Sequence, residues 1–269
     1  MTIRSFSYGG GVQSTAALVL AAQGRIDFPL FVFANVGDDS EHPATLAYLE
    51  HVAHPYAAEH GIELVEVHRA WRDGRVDTLK SHITRPEGRA INIPIRGENG
   101  APGKRACTAD FKIGPIAKLL TVRGASPDDP AVVGIGISVD EIGRASGATS
   151  PRPHERIVYP LIDLRLSRDQ CAQVIRDAGL PVPHKSSCFF CPFHSTEVWA
   201  EMRRDTPDLF WETVELEQWL NARQVRFGKR PVYFSRRARP LDQAVAEAQT
   251  PLFGDLDEPE TCDAFSCFT

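Results

Sequence analysis

The chain has 269 residues, 42% of them hydrophobic and 24% charged, with a formal net charge of -5, enough for one substantial core and a small appendage but not for two full domains. No apolar run approaches the roughly 18 residues that span a bilayer, and no basic segment leads into a long apolar one, so a cytoplasmic protein without membrane span or signal peptide is expected. Six cysteines in that compartment point to metal, cluster or redox chemistry rather than a disulfide framework.

Residues 2–8 suit a strand, and the alanine- and leucine-rich stretch from Ser14, stopped at Gly24, suits a helix. Between them SYGGGVQS (7–14) sets three glycines in a strand-to-helix turn. Glycines there let backbone N–H groups converge on phosphate oxygens, and the helix N-terminus adds its positive dipole end. A tight turn without a ligand is the alternative. No Walker lysine follows and the spacing is not G-x-G-x-x-G, so neither the P-loop nor the dinucleotide fingerprint fits.

FPLFVFANV (28–36) is the near-continuous apolar run of a strand buried on both faces. A helix with Pro43 in its first turn follows, aligning Leu46, Leu49, Val52 and Ala53, and then a strand over 62–67. Residues 69–106 have no period and read as a long functional or mobile loop. A helix over 112–120, strands over 131–137 and 156–162, and a helix from the Ser167/Gln170 capping box to Gly179 restore the alternation. The pattern predicts an α/β fold with a doubly wound, mainly parallel sheet over residues 1–180. Residues 181–269 read as a small cysteine-containing helical extension packed on it, with a helix starting near Thr206-Pro207. No internal repeat is present.

SYGGGVQS resembles the S-G-G-x-D-S pyrophosphate loop of the PP-loop ATP pyrophosphatase superfamily. FANVGDDSEHPATLAYL, RACTADFKIGPI, GIGISVDEIGR, YPLIDL and SSCFFCPFHS then follow in the order seen in the branch related to phosphoadenosine phosphosulfate reductases. The resemblance runs from about Ser5 to His194 and implies that Ser7, Gly9, Gly10, Gly11 and Ser14 hold the phosphates of ATP. Gln13 stands in that loop where the commoner members have aspartate. It further implies that Asp38 lies near the nucleotide and that Lys112 and Arg144 neutralise phosphate charge. Asp140 and Glu141, just past a strand, suit Mg2+ through their carboxylate oxygens, with a helix-cap or salt-bridge role as the alternative. Lys104 and Arg105, directly before Cys107, are either solvated loop charges or cations that favour its thiolate and meet the nucleotide.

Cys188 and Cys191 form C-x-x-C, and Cys107 supplies a distant third thiol. Soft thiolates select zinc or iron–sulfur clusters. With His194 the three make a closed Zn2+ set; without it they suit a [4Fe-4S] cluster with one iron free of cysteine, an arrangement similar to that of superfamily members that put sulfur into nucleic acids. Cys171 falls at helical spacing with Val174, Ile175 and Ala178 and reads as core. Cys262 and Cys267, in an acidic tail, are either incidental thiols or a mobile sulfur carrier. Residues 223–239 carry seven basic and no acidic residues, and 242–263 seven acidic and no basic ones. The basic run is either a solvated surface or, with Phe227, Tyr233 and Phe234, a nucleic-acid contact.

The function these readings favour is an ATP-dependent sulfurtransferase that adenylates an acceptor, releases pyrophosphate and inserts sulfur. The acceptor expected is a nucleic acid or nucleobase, as in DNA phosphorothioation or tRNA thiolation, and the expected sulfur source is a cysteine desulfurase. A sulfonucleotide reductase using Cys262 or Cys267, and a zinc-stabilised nucleotide-binding protein without catalysis, are the alternatives.

Overall fold

A computed structural model describes residues 2–145 and 152–248. The apolar runs become strands β1 (Arg4–Tyr8), β2 (Leu30–Asn35), β3 (Glu63–His68), β4 (Ala131–Ile135) and β5 (Glu155–Val158). Among the described residues these pair in parallel in the order β3-β2-β1-β4-β5. Burial on both faces explains why β2 is apolar at almost every position. On one face Phe6, Tyr8, Phe31 and Phe33 pack with Ala16, Ala17 and Leu20 of α1 (Val12–Ala22) and with Cys171 and Ile175 of α7 (Arg168–Asp177). On the other, Leu30, Val32, Ala34 and Val133 pack with Ile116 and Leu120 of α5 (Gly114–Val122). The predicted doubly wound α/β sheet is therefore present. Cys171 is fully buried, and burial pushes its thiol up to about 12, as its core reading requires.

Several element boundaries differ from the sequence reading for local reasons. The strand expected over 156–162 stops at Val158, and Pro160 opens the short helix α6 (Pro160–Asp163). Proline has no N–H for the ladder, and its fixed φ suits the first helical position. The helix from Pro43 runs as α2 (Pro43–Tyr48), a π-helical turn (Leu49–Ala53) and α3 (His54–Glu59). Pro55 lies directly after the widened turn, which accommodates the missing N–H. The helix expected over 112–120 begins as a π-helical turn, Thr108–Ile113, before α5.

The chain divides into two compact units, and the division does not fall at 180/181. The first unit holds the sheet, with residues 2–78 and 108–187; the second takes 79–107 and 188–248. Thus most of the aperiodic stretch read as a loop of the nucleotide domain belongs with the C-terminal helices α8 (Thr196–Asp205), α9 (Pro207–Arg226) and α10 (Leu241–Ala248). Within it only α4 (Leu79–Ile83) is helical. The second unit has its own core, with Trp199, Phe210, Phe234, Leu79 and Ile83 essentially inaccessible.

Polar side chains hold the irregular backbone of this unit. Arg223, 4% exposed, donates from Nη1 to the carbonyls of Ile83 at 2.7 Å and Arg85 at 2.9 Å. The Glu217 carboxylate accepts the backbone N–H of Phe234 at 2.7 Å and of Leu241 at 2.9 Å. Burial, opposed by those two donors, raises its pKa from 4.5 to about 7.

Candidate functional site in the sheet unit

Because β1 is central, the chain turns to β2 and β3 on one side and to β4 and β5 on the other. Strand order reverses between β1 and β4, and in open parallel sheets ligands bind outside the carboxyl ends of the strands at such a point. The triple glycine lies there, between β1 and α1. Gly10 has φ +73°, which an L side chain rarely adopts. Gly11 is the extended N-cap of α1, and no acidic residue occupies the helix's first turn. The dipole end is thus left without an acidic side chain of its own.

The glycines also answer to neighbours. A Cβ on Gly10 would meet Thr45 Cγ2 at 2.7 Å, and one on Gly11 would meet Ser186 Oγ at 2.9 Å. Close packing therefore demands glycine here whether or not phosphate does. Ser14 closes the turn itself: its hydroxyl accepts the Gly11 N–H at 3.2 Å and donates to the Gly11 carbonyl at 3.0 Å. Ser7 is buried in β1.

Asp140, Glu141 and Arg144 sit in a 3-10 turn, Val139–Arg144, shortly after β4. Asp140 accepts the backbone N–H of Arg168 at 2.5 Å and the Ser138 hydroxyl at 3.4 Å, the helix-cap role the sequence left open. Glu141 pairs with Arg144 at 2.5 Å and accepts from Gln13 Nε2 at 3.1 Å. Both carboxylates proposed for Mg2+ are thus engaged by protein donors. On the β2 side, Asp38 is exposed and accepts from Asn35 at 2.8 Å. Lys112 lies in the turn before α5, close enough to Glu41 for its charge to oppose the upward shift that burial imposes on that carboxyl.

Cys107, Cys188 and Cys191 all belong to the second unit, each half-buried and none in a disulfide. A tight turn joins the pair, with the Cys191 N–H on the Cys188 carbonyl at 3.1 Å, while the Cys107 N–H bonds the Asn92 carbonyl at 2.7 Å. Their chemistry fits a thiophilic metal or cluster. Yet among the described residues no three His, Cys, Asp or Glu side chains are gathered as metal ligands. His194 turns inward, 5% exposed, with Nε2 3.1 Å from the Cys188 carbonyl and its ring edge-on to Trp199. Arg105 lies over the Phe193 ring, 5.7 Å from its centroid. Cys262 and Cys267 lie outside the described residues.

In the basic run, three of the seven cations serve the fold. Arg223, Arg226 and Lys229 donate to backbone carbonyls between Ile83 and Arg89, and Arg230 and Arg239 pair with Glu98 and Glu247. Phe234 is fully buried against Trp199. The stacking role read for Phe234 is therefore corrected: its ring is core, because the run folds back over α8 and α9.

No family model matches the chain, and no curated protein matches it. Among solved structures, the U34-tRNA thiolase NcsA from Methanococcus maripaludis with its [4Fe-4S] cluster is similar, at 16% identity and a TM-score of 0.43, covering 81% of this chain and 72% of that one.

Reading by sequence passed over several residues around the glycine turn. His42 caps α2 by accepting the Ala44 N–H at 3.2 Å, and its ring stacks on His184 at 5.0 Å. Burial, and then His184, hold its pKa below the usual imidazole value. Gly136 lets the chain after β4 pass α1, where a Cβ would lie 3.4 Å from Gln13 Cβ and from the Ser14 nitrogen. Arg168 reaches Gln13 from α7. The turn signal of Gly136 and the His42 cap two residues before Ala44 are local in the sequence; the stacking on His184 and the Arg168 contact join residues more than a hundred positions apart.

Proposed function

We propose that the chain is an ATP-using enzyme that adenylates an oxygen of a nucleic-acid acceptor, releases pyrophosphate and lets sulfur displace AMP, a sulfurtransferase of the thiolation type. The observation that carries this reading is the glycine turn at the strand-order reversal, where the first turn of α1 contains no acidic residue of its own. Backbone N–H groups at such a turn favour the charge that develops on departing pyrophosphate. Attack of the acceptor oxygen on the α-phosphorus makes AMP the leaving group in the second step, so a poor leaving oxygen becomes a good one.

Within this reading Ser7, Gly9, Gly10, Gly11, Gln13 and Ser14 shape the phosphate site, Lys112 and Arg144 supply positive charge, and Asp38 borders the nucleotide. Asp140 holds the first N–H of α7 and so the register of that wall. Cys107, Cys188 and Cys191 are the residues that would hold a [4Fe-4S] cluster. That group, when bound, supplies thiophilic iron.

Protein purified without oxygen would be given ATP and bulk tRNA, with pyrophosphate release and thiolated nucleosides measured by mass spectrometry. Pyrophosphate that appears only with RNA, and thionucleosides that appear only with a sulfur source, are expected. ATP left intact under all conditions would overturn the reading. Iron and acid-labile sulfide counted in Cys107→Ala, Cys188→Ala and Cys191→Ala should fall together, while Cys171→Ala leaves them unchanged. One zinc per chain, released by His194→Ala, would replace the cluster by the closed zinc site.

A further inference from the structure

Three segments of the sheet unit meet through a chain of polar side chains at the carboxyl ends of β1 and β4. Gln13 is the second residue of α1, Glu141 lies in the turn after β4, and Arg168 is the first residue of α7. The Gln13 Nε2 donates to Glu141 Oε2 at 3.1 Å, and its Oε1 accepts from Arg168 Nη1 at 3.4 Å. Glu141 Oε1 in turn holds Arg144 Nη1 at 2.5 Å. The amide has one orientation here, since reversing it would set oxygen against carboxylate and NH2 against guanidinium.

The charges in this chain are not evenly matched. Glu141 is taken by Arg144. Asp140, the other nearby acid, spends its Oδ2 on the backbone N–H of Arg168 rather than on the guanidinium. The Arg168 side chain is exposed and rests on a neutral amide oxygen through a long bond. A long bond to a neutral acceptor is weak, and a charged oxygen displaces it readily. The same spot faces the N-terminal turn of α1, which carries no acid.

We propose that Arg168, with Arg144, is a fixed cationic clamp for the two terminal phosphates of a nucleoside triphosphate, and that Gln13 and Glu141 hold the clamp in place until the phosphates arrive. The inference rests on the nucleotide reading above and names how this site selects its ligand. Arg168 exchanges the Gln13 oxygen for a phosphate oxygen. Arg144 exchanges Glu141 for another, so Glu141 competes with the ligand. Such a competitor is displaced by pyrophosphate or a triphosphate far better than by a monophosphate, because only the former present enough charge at both arginines. The clamp therefore favours ATP over AMP and does not depend on a carboxylate at position 13.

The test is calorimetric titration of the full chain with ATP, inorganic pyrophosphate and AMP, with Mg2+ and with a chelator. Arg168→Ala leaves the backbone N–H that Asp140 holds, so its melting temperature should match the wild type. Its affinity for ATP and pyrophosphate should fall by about tenfold or more, with AMP unchanged. Arg168→Lys should recover part of the loss, and Glu141→Gln should bind pyrophosphate several-fold more tightly. If Arg168→Ala binds ATP and pyrophosphate like the wild type, the clamp is wrong and the nucleotide reading stands. If the wild type binds neither, both fall together. If Glu141→Gln weakens ATP only when Mg2+ is present, that carboxylate holds the cation, and its role as competitor is overturned.

Discussion

The two units satisfy their backbones by different means. In the sheet unit, parallel ladders pair the strands and the α1 end is closed by the adjacent Ser14 hydroxyl. In the second unit, long stretches have no ladder, and buried Arg223, Arg96 and Glu217, with half-buried Asn221, bond the backbone directly. Arg96 illustrates the difference. It exchanges backbone hydrogen bonds with Tyr233 at 2.9 Å each way and also reaches the carbonyls of Gly100 at 2.8 Å and Pro192 at 3.3 Å. A sheet spreads its stability over many equivalent bonds; a unit tied by a few charged side chains concentrates it. Single substitutions should therefore be felt more in the second unit.

Arg223→Met is the strongest test of that contrast. It keeps the apolar stem but strands the carbonyls of Ile83 and Arg85, and unsatisfied buried groups of this kind cost about 1–3 kcal/mol each. Urea denaturation should show a loss of several kcal/mol by that bookkeeping, with residues 79–89 becoming open to protease. A loss no larger than that of an exposed arginine would show that the contrast is false.

Glu217 sharpens the contrast through pH. Its folded-state pKa of about 7 lies above the ordinary 4.5, so the folded protein holds a proton that the unfolded chain has released between those values. This group's contribution is fully present below about pH 4.5 and is lost as pH rises through 7, a span worth roughly 3 kcal/mol. Melting followed from pH 4.5 to 8 should show a downward component that Glu217→Gln removes. The same profile in wild type and variant would refute the assignment.

The smallest expected effect lies in the sheet unit. Gly10→Ala puts a Cβ at φ +73° and against Thr45, at a cost of about 1–3 kcal/mol. Adding Thr45→Ser removes the Cγ2 in the way. Recovery of stability in the double variant without recovery of ATP binding would separate the ligand's need for glycine from the packing need. Recovery of both would assign the glycine to packing alone.

How much of this was legible in the sequence depends on how far apart the interacting residues are. The strands, the glycine turn, the capping box at Ser167 and the buried Cys171 were readable because each rests on periodicity or on residues within one turn of helix. The short tail of β5 was misread only because a single proline outweighs an apolar run. Two site elements were not readable. The segment 79–107 joins the C-terminal helices through Arg223 and Arg226, whose carbonyl partners lie about 140 positions earlier. The Gln13, Glu141 and Arg168 chain spans 155 positions. The sequence grouped Cys107, Cys188 and Cys191 by their chemistry, and all three belong to the second unit.

By itself, then, the amino-acid order determined which segments extend, which coil, where a turn needs positive φ and which thiols suit a soft metal, since all of these follow from local backbone sterics and side-chain chemistry. The tertiary structure alone decided which carboxylate faces which cation. Asp140 and Glu141 are adjacent acids in sequence, yet one caps α7 and the other pairs with Arg144 and Gln13. Which partner each meets is set by where α1, α7 and the turn after β4 converge on the sheet. That convergence comes from apolar burial, which is non-directional and carries no local signature in the chain.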